Sequence, residues 1–159
     1  MQRMIKILFV CHGNICRSPM AEFILKEMVR TAGRERQFEI ASAATSREEL
    51  GNDIYPPAKR CLSAHGIPYE KRSARQISPK DVLYYDYIIS MEDYNLQNLR
   101  RLLGSIYTKN ETKFSLLLEH ASRPGGVADP WYSGDFETAF RDIEEGCRGL
   151  LNDILGGMA

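Results

Sequence analysis

An apolar run that leads into a polar loop and then into a helical pattern is the feature that most constrains the fold. Ile5 to Val10 form a continuous apolar stretch, which is typical of a central strand in a parallel sheet. After a short loop, Ser18-Pro19 favours a helix start, because serine caps helices and a proline in the first turn loses no hydrogen bond. The first N–H groups of a helix have no partner within it, so this strand, loop and helix create a site for an anion.

The loop in residues 11–19 reads Cys-His-Gly-Asn-Ile-Cys-Arg-Ser-Pro and places Arg17 six residues after Cys11. A helix N-terminus and a nearby arginine both favour the thiolate, which is the nucleophilic form of cysteine. The guanidinium is a planar fork that matches two phosphate oxygens, and Gly13 lets the backbone approach a bound group. The loop lacks the Gly-Lys-Ser/Thr ending of a nucleotide P-loop. It therefore predicts phosphoryl transfer to Cys11, in preference to a buried thiol at a strand end.

Strands and helices alternate along the rest of the chain, which predicts a parallel sheet covered on both faces. We predict strands at Ile5–Val10, Phe38–Ala43, Tyr84–Ser90 and Phe114–Leu118, and a short strand or extended segment at Ser73–Ser78. We predict helices from Pro19 to before Gly33, from Pro56 to Gly66, for one turn at Ser78-Pro79, from Glu92 to Leu103 and from Asp135 to Leu155. Polar loops are expected at Thr45–Tyr55 and Glu119–Gly134.

Length and charge limit the possible classes of protein. The 159 residues, 43% of them hydrophobic, suit one globular domain spanning residues 1–159. The 21 basic and 21 acidic residues balance, so nothing suggests a nucleic-acid surface. The apolar run after Met1-Gln2-Arg3 is too short for a signal peptide, and no run is long enough to span a membrane. A cytoplasmic protein is expected, with Cys11, Cys16, Cys61 and Cys147 as thiols.

The histidines do not suggest a metal site. His12, His65 and His120 are scattered and lack metal-ligand spacing, so neither a metal nor another cofactor is expected. His65, in the last turn of its predicted helix, suits a capping cation or a partner of the phosphate loop, and helical propensity does not separate these. Ser42 is likewise either a small residue at a tight strand end or a hydroxyl that supports the loop.

Phosphoryl transfer to a thiolate needs a general acid, because an alkoxide or phenolate is a poor leaving group. The acid should lie at the carboxyl edge of the sheet, where the loop after the last strand contains Asp129-Pro130. Asp-Pro alone more often forms a turn. Beside the Cys11 loop the acid is the better interpretation, and Glu92, Asp93 and Glu119 are weaker candidates.

Two of these motifs also carry a family resemblance that extends over nearly the whole chain. Cys-X5-Arg-Ser is the signature loop of protein tyrosine phosphatases, and the string from Cys11 to Pro19 resembles the low-molecular-weight branch. Asp129-Pro130 followed by Trp131-Tyr132 resembles the general-acid loop of that branch. The resemblance implies a three-layer, flavodoxin-like α/β fold of the phosphotyrosine phosphatase I type, with a four-stranded parallel sheet and helices on both faces.

The resemblance also implies roles for individual residues. Cys11, Arg17 and Asp129 are catalytic, and the loop from His12 to Ser18 (His12, Gly13, Asn14, Ile15, Cys16, Arg17, Ser18) binds phosphate. Asn14, Ser18, Ser42 and His65 support that loop, and Cys16 forms a reversible disulfide with Cys11 that protects it from over-oxidation. Trp131 and Tyr132 form one pocket wall; Glu48 lies in the opposite wall, where many members carry an aromatic residue.

The expected activity is metal-independent hydrolysis of phosphotyrosine or a small aryl phosphate through a cysteinyl-phosphate, releasing inorganic phosphate from a monomeric enzyme. Phosphoarginine and small phosphate esters stay open as substrates. A thiol-linked arsenate reductase is disfavoured, because the segment from Ser73 to Glu92 lacks the two relay cysteines. A binding module without turnover is disfavoured because both the nucleophile and the acid are present.

Overall fold

The computed structural model describes residues 3–157, so residues 1–2 and 158–159 of the predicted domain lie outside the described part. Four strands form one parallel sheet: β1 Ile5–Cys11, β2 Phe38–Ala44, β3 Tyr87–Ser90 and β4 Phe114–Leu116. The helices are α1 Arg17–Thr31, α2 Pro56–Ala64, α3 Pro79–Tyr84, α4 Asp93–Leu103, α5 Ser105–Lys109, α6 Pro130–Ser133 and α7 Phe136–Gly157. The predicted four-stranded parallel α/β fold is confirmed.

Strand β1 lies inside the sheet, whose order is β2-β1-β3-β4. Its register pairs Cys11 with Ala44 of β2 and Val10 with Ser90 of β3. Strand β1 is paired on both edges and is buried from Ile7 onward, which is why its sequence is apolar without polar alternation over Ile7–Cys11.

Side chains on the two faces of β1 belong to two separate hydrophobic cores. Ile7 and Phe9 belong to the core beneath α1 and α7, whereas Leu8 and Val10 belong to the core beneath α3, α4 and α5. Successive side chains of a strand point to opposite faces, so one apolar run supplies both cores. The result is a three-layer arrangement that holds the end of β1 in a fixed position.

The site region lies at a topological switch point of the sheet. From β1 the chain crosses by α1 to β2 on one side, and from β3 it crosses by α4 and α5 to β4 on the other side. Connections that leave neighbouring strands in opposite directions open a crevice at their carboxyl ends. Cys11, the last residue of β1, lies at this crevice.

Several local predictions were wrong in detail. Tyr84 ends α3 and does not start β3, and α5 was not predicted. Strand β4 stops at Leu116, because a short 3-10 helix spans Leu117–Ala121. The segment Ser73–Ser78 is extended and makes one isolated bridge, between Gln76 and Ala44, as the extended alternative predicted.

The start of α1 corrects a prediction about Ser18. The helix begins at Arg17, its N-cap position is Cys16, and no side chain caps it. Pro19 lies in the first turn as expected. The Ser18 hydroxyl instead lies beside the Cys11 sulfur, so it is engaged by the loop and not by the helix end.

Within residues 3–157, no helix has the length and apolar character needed to cross a membrane.

Candidate active site

The sulfur of Cys11 lies at the centre of a ring of donors. The Ser18 hydroxyl oxygen is 3.0 Å from Sγ, and the backbone nitrogens of Asn14 and Ser18 donate to Sγ at 3.4 Å each. Cys11 is 3% exposed, so these donors act on the sulfur with little competition from water. Hydrogen bonds of this kind stabilise negative charge on an acceptor atom, which is the charge a nucleophilic thiolate carries.

Asn14 turns the loop around this sulfur. Its φ of 61° is left-handed, a conformation that asparagine adopts more readily than most residues with a side chain. Gly13, which the sequence suggested for close approach, has no positive φ; a side chain there would meet Glu49 at an ordinary 3.4 Å. The conformational demand of the loop therefore falls on Asn14.

The side-chain amide of Asn14 uses all of its hydrogen-bonding capacity. Its Oδ1 accepts from the Arg72 guanidinium and from the backbone nitrogen of Arg75 at 3.3 Å. Both partners are donors, which fixes the orientation of the amide. Its Nδ2 then donates to Ser18 Oγ at 2.8 Å and to Ser42 Oγ at 2.9 Å.

This orientation of the amide determines to which acceptor each of the two serine hydroxyls donates its hydrogen bond. Because Ser18 Oγ accepts from Asn14, its own hydrogen is available to the Cys11 sulfur. Ser42 Oγ likewise accepts from Asn14 and donates to Glu22 Oε1 at 2.6 Å. A directed chain of hydrogen bonds thus links β2, the loop and the sulfur.

Arg72 is the cation behind this network. Burial lowers the pKa of Arg72, while the negative charges of Glu22, Asp53 and Cys11 act in the opposite direction. The backbone nitrogen of Arg72 also donates to Asp53 Oδ1 at 3.2 Å, which ties the segment before α3 to the loop that follows β2. Arg72 therefore couples a positive charge to Asn14 from the side away from the pocket.

Arg17 is almost wholly buried, with 2% of its side chain exposed. Its Nη1 donates to the Val127 carbonyl oxygen at 2.8 Å and pairs with the Glu92 carboxylate, and its Nη2 lies 3.4 Å from Asp129 Oδ2. These contacts hold the guanidinium rigidly at the rim of the loop. A fork held in this way is suited to two oxygens of one phosphate group.

The charge state of Arg17 follows from its neighbours. Burial by itself lowers the pKa of Arg17, but the negative charges of Cys11, Asp129 and Glu92 outweigh that effect and keep the pKa above its ordinary value. The guanidinium thus stays charged and is compensated by the groups around it.

Asp129 lies at the N-cap of α6, the short helix that begins at Pro130. Its Oδ1 accepts from the Trp131 backbone nitrogen at 3.0 Å, which leaves Oδ2 facing Arg17. Asp129 therefore forms the turn that the alternative interpretation predicted, and it also faces the Cys11 loop. The two interpretations were not exclusive.

One pocket is lined by residues 11–17 of the loop and by residues from two surrounding segments. Its lining residues include every predicted phosphate-binding position except Ser18, which lies beneath the sulfur. Glu48 and Glu49 contribute on one side, and Asp129, Trp131 and Tyr132 contribute on the other. The structure thus brings together Cys11, Arg17, Asp129 and all three predicted wall residues.

The walls differ in character. Glu48 pairs with His12 Nε2 at 2.6 Å, which gives the rim a hydrogen-bonded acidic side. Trp131 packs on Tyr55 with ring centroids 4.6 Å apart, and Tyr132 is 86% exposed. A planar group entering the pocket would therefore meet carboxylates on one side and aromatic rings on the other.

Cys16 is also in this pocket, as an unpaired and buried thiol. Burial raises the pKa of Cys16 well above its ordinary value, and the negative charges of Cys11 and Asp129 raise it further. Cys16 therefore keeps its proton at neutral pH.

The structure does not place His65 against the phosphate loop, so that prediction was wrong. His65 follows the last residue of α2; its Nε2 lies 2.8 Å from Glu137 Oε2, and its ring stacks on Phe140 with centroids 3.8 Å apart. The face of α2 that carries it packs on α7. The side chain that supports the loop from this part of the chain is that of Arg72, whose guanidinium donates to Asn14 Oδ1.

Three other residues at the site were missed or undervalued. Arg72 lies in an irregular segment with no periodicity, and Glu22 is a charged residue within an amphipathic helix, so neither gives a sequence signal. Glu92, a weaker candidate for the acid, pairs with Arg17. Its position two residues after the end of β3, at the carboxyl edge, is the one signal that could have suggested this.

A buried thiol ringed by donors, a guanidinium at its rim and an acid on the facing loop define the cysteine-dependent phosphatases. The family model described as low molecular weight phosphotyrosine protein phosphatase matches residues 6–156. The low molecular weight protein-tyrosine-phosphatase YfkJ of Bacillus subtilis is 38% identical over 153 residues, which are 95% of this chain and 96% of YfkJ. The human low molecular weight phosphotyrosine protein phosphatase is 36% identical, over 91% of this chain and 92% of its own.

Solved structures agree with these relatives. The crystal structure of Bacillus subtilis YfkJ superposes with a TM-score of 0.92 at 36% identity and covers 98% of both chains. That of the drosophila arginine phosphatase DARP has a TM-score of 0.86 at 31% identity, over 94% of this chain and 98% of its own. The chain belongs to the low molecular weight phosphotyrosine protein phosphatase family. It is a cysteine-based phosphotyrosine phosphatase.

Proposed function

We propose that Cys11 is the nucleophile of this phosphatase, that Arg17 and the loop N–H groups bind the phosphate, and that Asp129 is the general acid. The observation that carries the proposal is the convergence on one pocket of the Cys11 sulfur, the buried Arg17 fork and Asp129 Oδ2, 3.4 Å from Arg17 Nη2. In the first step the thiolate attacks phosphorus and the bond to the leaving oxygen breaks. Asp129 gives its proton to that oxygen, and the alcohol or phenol departs.

The second step returns the enzyme to its starting state. The Asp129 carboxylate takes a proton from water as the water oxygen attacks the cysteinyl-phosphate. The sulfur–phosphorus bond breaks, inorganic phosphate leaves, and the thiolate is restored. Ser18 assists here, because its hydroxyl is directed at Sγ and stabilises the departing sulfur.

The phosphate cradle makes an electrostatic contribution in both steps. The loop from His12 to Ser18 and the Arg17 guanidinium face the equatorial oxygens, which carry most of the charge of the transferring group. Ser42 and Asn14 support the loop through the hydrogen bonds that fix the Asn14 amide. Cys16 is proposed to form a reversible disulfide with Cys11 when the enzyme is oxidised.

The proposed substrate is phosphotyrosine in a protein, or a small aryl phosphate, with inorganic phosphate as product. The aromatic wall of Trp131 and Tyr132 supports an aryl group, because offset rings gain stacking energy beyond their buried area. We further propose that residues 1–159 form one domain and that the enzyme is a cytoplasmic monomer that requires no metal and binds neither nucleic acid nor membrane. The balance of 21 basic and 21 acidic residues supports the last part of this proposal.

Phosphate release tests the proposal directly. The substrates are a phosphotyrosine peptide, an aryl phosphate and free phosphoarginine, the last because DARP is named an arginine phosphatase. Each is assayed in EDTA and reductant with the wild type, Cys11→Ser and Asp129→Asn. Asp135→Asn, six residues further along the same chain segment and outside the pocket, is the matched control for the acid.

The proposal expects turnover of the aryl substrates by the wild type and none by Cys11→Ser. Asp129→Asn should lower kcat by about 10²- to 10⁴-fold, the usual contribution of a general acid, while Asp135→Asn leaves it unchanged. Equal losses in the two aspartate variants would refute the role of Asp129. Turnover by Cys11→Ser would refute the role of Cys11.

A further inference from the structure

Three potential metal ligands come together where the end of α2 meets the start of α7, outside the catalytic pocket. The ligand atoms of Cys61, His65 and Glu137 all lie within 4.8 Å of one another. Cys61 Sγ is 3.5 Å from Glu137 Oε1, and His65 Nε2 is 2.8 Å from Glu137 Oε2. None of the three lines the pocket around Cys11.

Two features of the fold bring these side chains together: the spacing along α2 and the packing of α7 against it. Cys61 and His65 are four residues apart at the end of α2, so they lie on one face of the helix. Glu137 lies in the first turn of α7, which packs against that face. The His65 ring is held by stacking on Phe140, with the two planes 11° apart.

We propose that Cys61, His65 and Glu137 bind one zinc ion, with water as the fourth ligand. Zinc favours thiolate, imidazole and carboxylate ligands in a tetrahedron, at about 2.3 Å for sulfur and about 2.0 Å for nitrogen or oxygen. Those bond lengths require sulfur and oxygen ligands to be about 3.5 Å apart, which is the Cys61–Glu137 separation. Three protein ligands with one open position is also a common zinc arrangement.

The charge balance of the site favours a dication. On binding, the Cys61 thiol gives up its proton to solvent, and the His65 imidazole binds in its neutral form. The thiolate and the Glu137 carboxylate then neutralise the two charges of the metal. Arg141, one turn beyond Glu137, is the neighbouring cation, but its guanidinium donates to Thr138 Oγ1 at 3.3 Å.

The cysteine sets the preference among metals. A thiolate with an imidazole selects zinc or another thiophilic ion, whereas magnesium and calcium prefer oxygen ligands alone. Without the metal, the same groups form hydrogen bonds with one another, between Cys61 and Glu137 and between His65 and Glu137. The sequence gives little signal for this site, because Glu137 lies 72 residues beyond His65 and only the fold joins them.

Zinc at this position would join the end of α2 to the start of α7. Phe136, next to Glu137, packs towards Tyr55 with centroids 6.2 Å apart, and Tyr55 packs on Trp131 of the pocket wall. The cluster therefore lies two side-chain contacts away from the catalytic pocket. A bound ion should stabilise the folded protein, because it binds the folded state and not the separated ligands.

Zinc and cobalt binding test the proposal without relying on activity. Metal-free protein carrying Cys11→Ser, which removes the active-site thiol as a competing ligand, is titrated with zinc against a chromogenic chelator and with cobalt by absorption spectroscopy. The same background receives His65→Gln, Glu137→Gln or Cys61→Ser. His65 and Glu137 are partly exposed, so their variants should fold even if Cys61→Ser does not. His120→Gln, in a histidine–carboxylate pair with Asp153 but no cysteine, is the matched control.

We expect one equivalent of zinc, a thiolate-to-cobalt charge-transfer band, and a higher Tm on adding zinc. His65→Gln and Glu137→Gln should each weaken zinc binding by more than about tenfold, the loss that even an outer partner of a metal ligand causes. His120→Gln should behave like its parent. The proposal is overturned if the parent takes up no zinc at equimolar concentration, or if His65→Gln and Glu137→Gln bind zinc as tightly as the parent.

Discussion

The Arg72 guanidinium donates to the side-chain oxygen of Asn14, the residue that turns the phosphate loop in a left-handed conformation. Without that donor, Asn14 Oδ1 keeps only the Arg75 backbone contact at 3.3 Å. The amide orientation that directs the Ser18 hydroxyl at Cys11 therefore depends on Arg72. This residue lies 61 positions after Cys11 and belongs to no sequence motif.

Arg72→Ala should lower kcat up to about 100-fold, the cost of a small misplacement of reacting groups, and leave KM nearly unchanged. Arg72→Lys keeps a charged donor and should recover part of the loss. Both kcat and the rate of Cys11 alkylation by iodoacetate should be measured, since a purely structural role would not change alkylation in the folded protein. Arg123→Ala, an arginine paired with Asp142 and Glu145, is the control. A normal kcat in Arg72→Ala would contradict this account.

The acidic side of the pocket should influence which peptides are hydrolysed. Glu48 and Glu49 line it, so basic residues flanking phosphotyrosine should be favoured over acidic ones. Replacing both with glutamine should reduce the ratio of kcat/KM between basic and acidic peptides by about two- to fivefold, the usual effect of exposed ion pairs. Added salt should reduce the wild-type ratio in the same direction. A ratio that does not change, or changes equally in Glu70→Gln, would show that the rim has no such role.

Replacing either of two glycines of α7 by alanine should have opposite effects on the free energy of unfolding. A methyl group at Gly149 would lie 2.6 Å from the His120 carbonyl carbon and closer still to its oxygen. Gly149→Ala should therefore destabilise the protein by about 1–3 kcal/mol or more, as overpacking does. Gly156→Ala lies in the same helix, and no atom of residues 3–157 is within 4 Å of the added methyl group, so it should be neutral or stabilising by up to about 1 kcal/mol. Thermal unfolding of both variants tests the close approach of α7 to the segment after β4; equal Tm values would refute it.

The buried cysteine of α7 should make stability fall at alkaline pH. Burial raises the pKa of Cys147 well above its ordinary value, and the Glu144 charge adds to the effect. In the unfolded chain the thiol ionises above about pH 8.5, while the folded protein keeps the proton. The folded state then binds more protons, so this contribution to stability is complete below about pH 8.5 and decreases as the pH rises.

Urea unfolding at several pH values measures this effect. Above about pH 8.5, the wild type should lose up to about 1.4 kcal/mol per pH unit through Cys147, and Cys147→Ala should lack that part of the loss. The cavity left by the alanine lowers stability by the same amount at every pH, so the slope separates the two effects. Parallel slopes for the two proteins would contradict the prediction.

How far the sequence predicts this molecule depends on how local each signal is. The strand from Ile5, the cysteine loop and the start of α1 are contiguous, so the hydrophobic pattern and Pro19 were enough to place Cys11 and Arg17 between strand and helix, even though Ser18 does not cap α1. Chemical need together with topology suggested Asp129 as the acid, because the mechanism requires an acid at one edge of the sheet. The structure places Asp129 Oδ2 3.4 Å from Arg17 Nη2, and the acid role itself stays a prediction.

The side chains that contact the site residues could not be predicted from the sequence, because they are distant along the chain and only the fold brings them together. Arg72 reaches Asn14 across 58 positions and Glu92 reaches Arg17 across 75, and neither lies in a periodic pattern. His65 was assigned to the loop by resemblance, but the packing of α2 on α7 directs its ring to Phe140 and Glu137. Charged residues with a specific buried partner resemble solvated ones in sequence, which is why these roles appeared only in the structure.

Trapping the covalent intermediate tests the central claim that phosphate passes through Cys11. Asp129→Asn, in which hydrolysis of the intermediate should be slow, is mixed with an aryl phosphate that has a good leaving group, quenched in acid, digested and analysed by mass spectrometry. The account predicts one phosphoryl group on the peptide that contains Cys11, retained in an added Cys16→Ser substitution and absent with Cys11→Ser. A phosphoryl group on another residue, or turnover by Cys11→Ser without any phosphorylated cysteine, would contradict it.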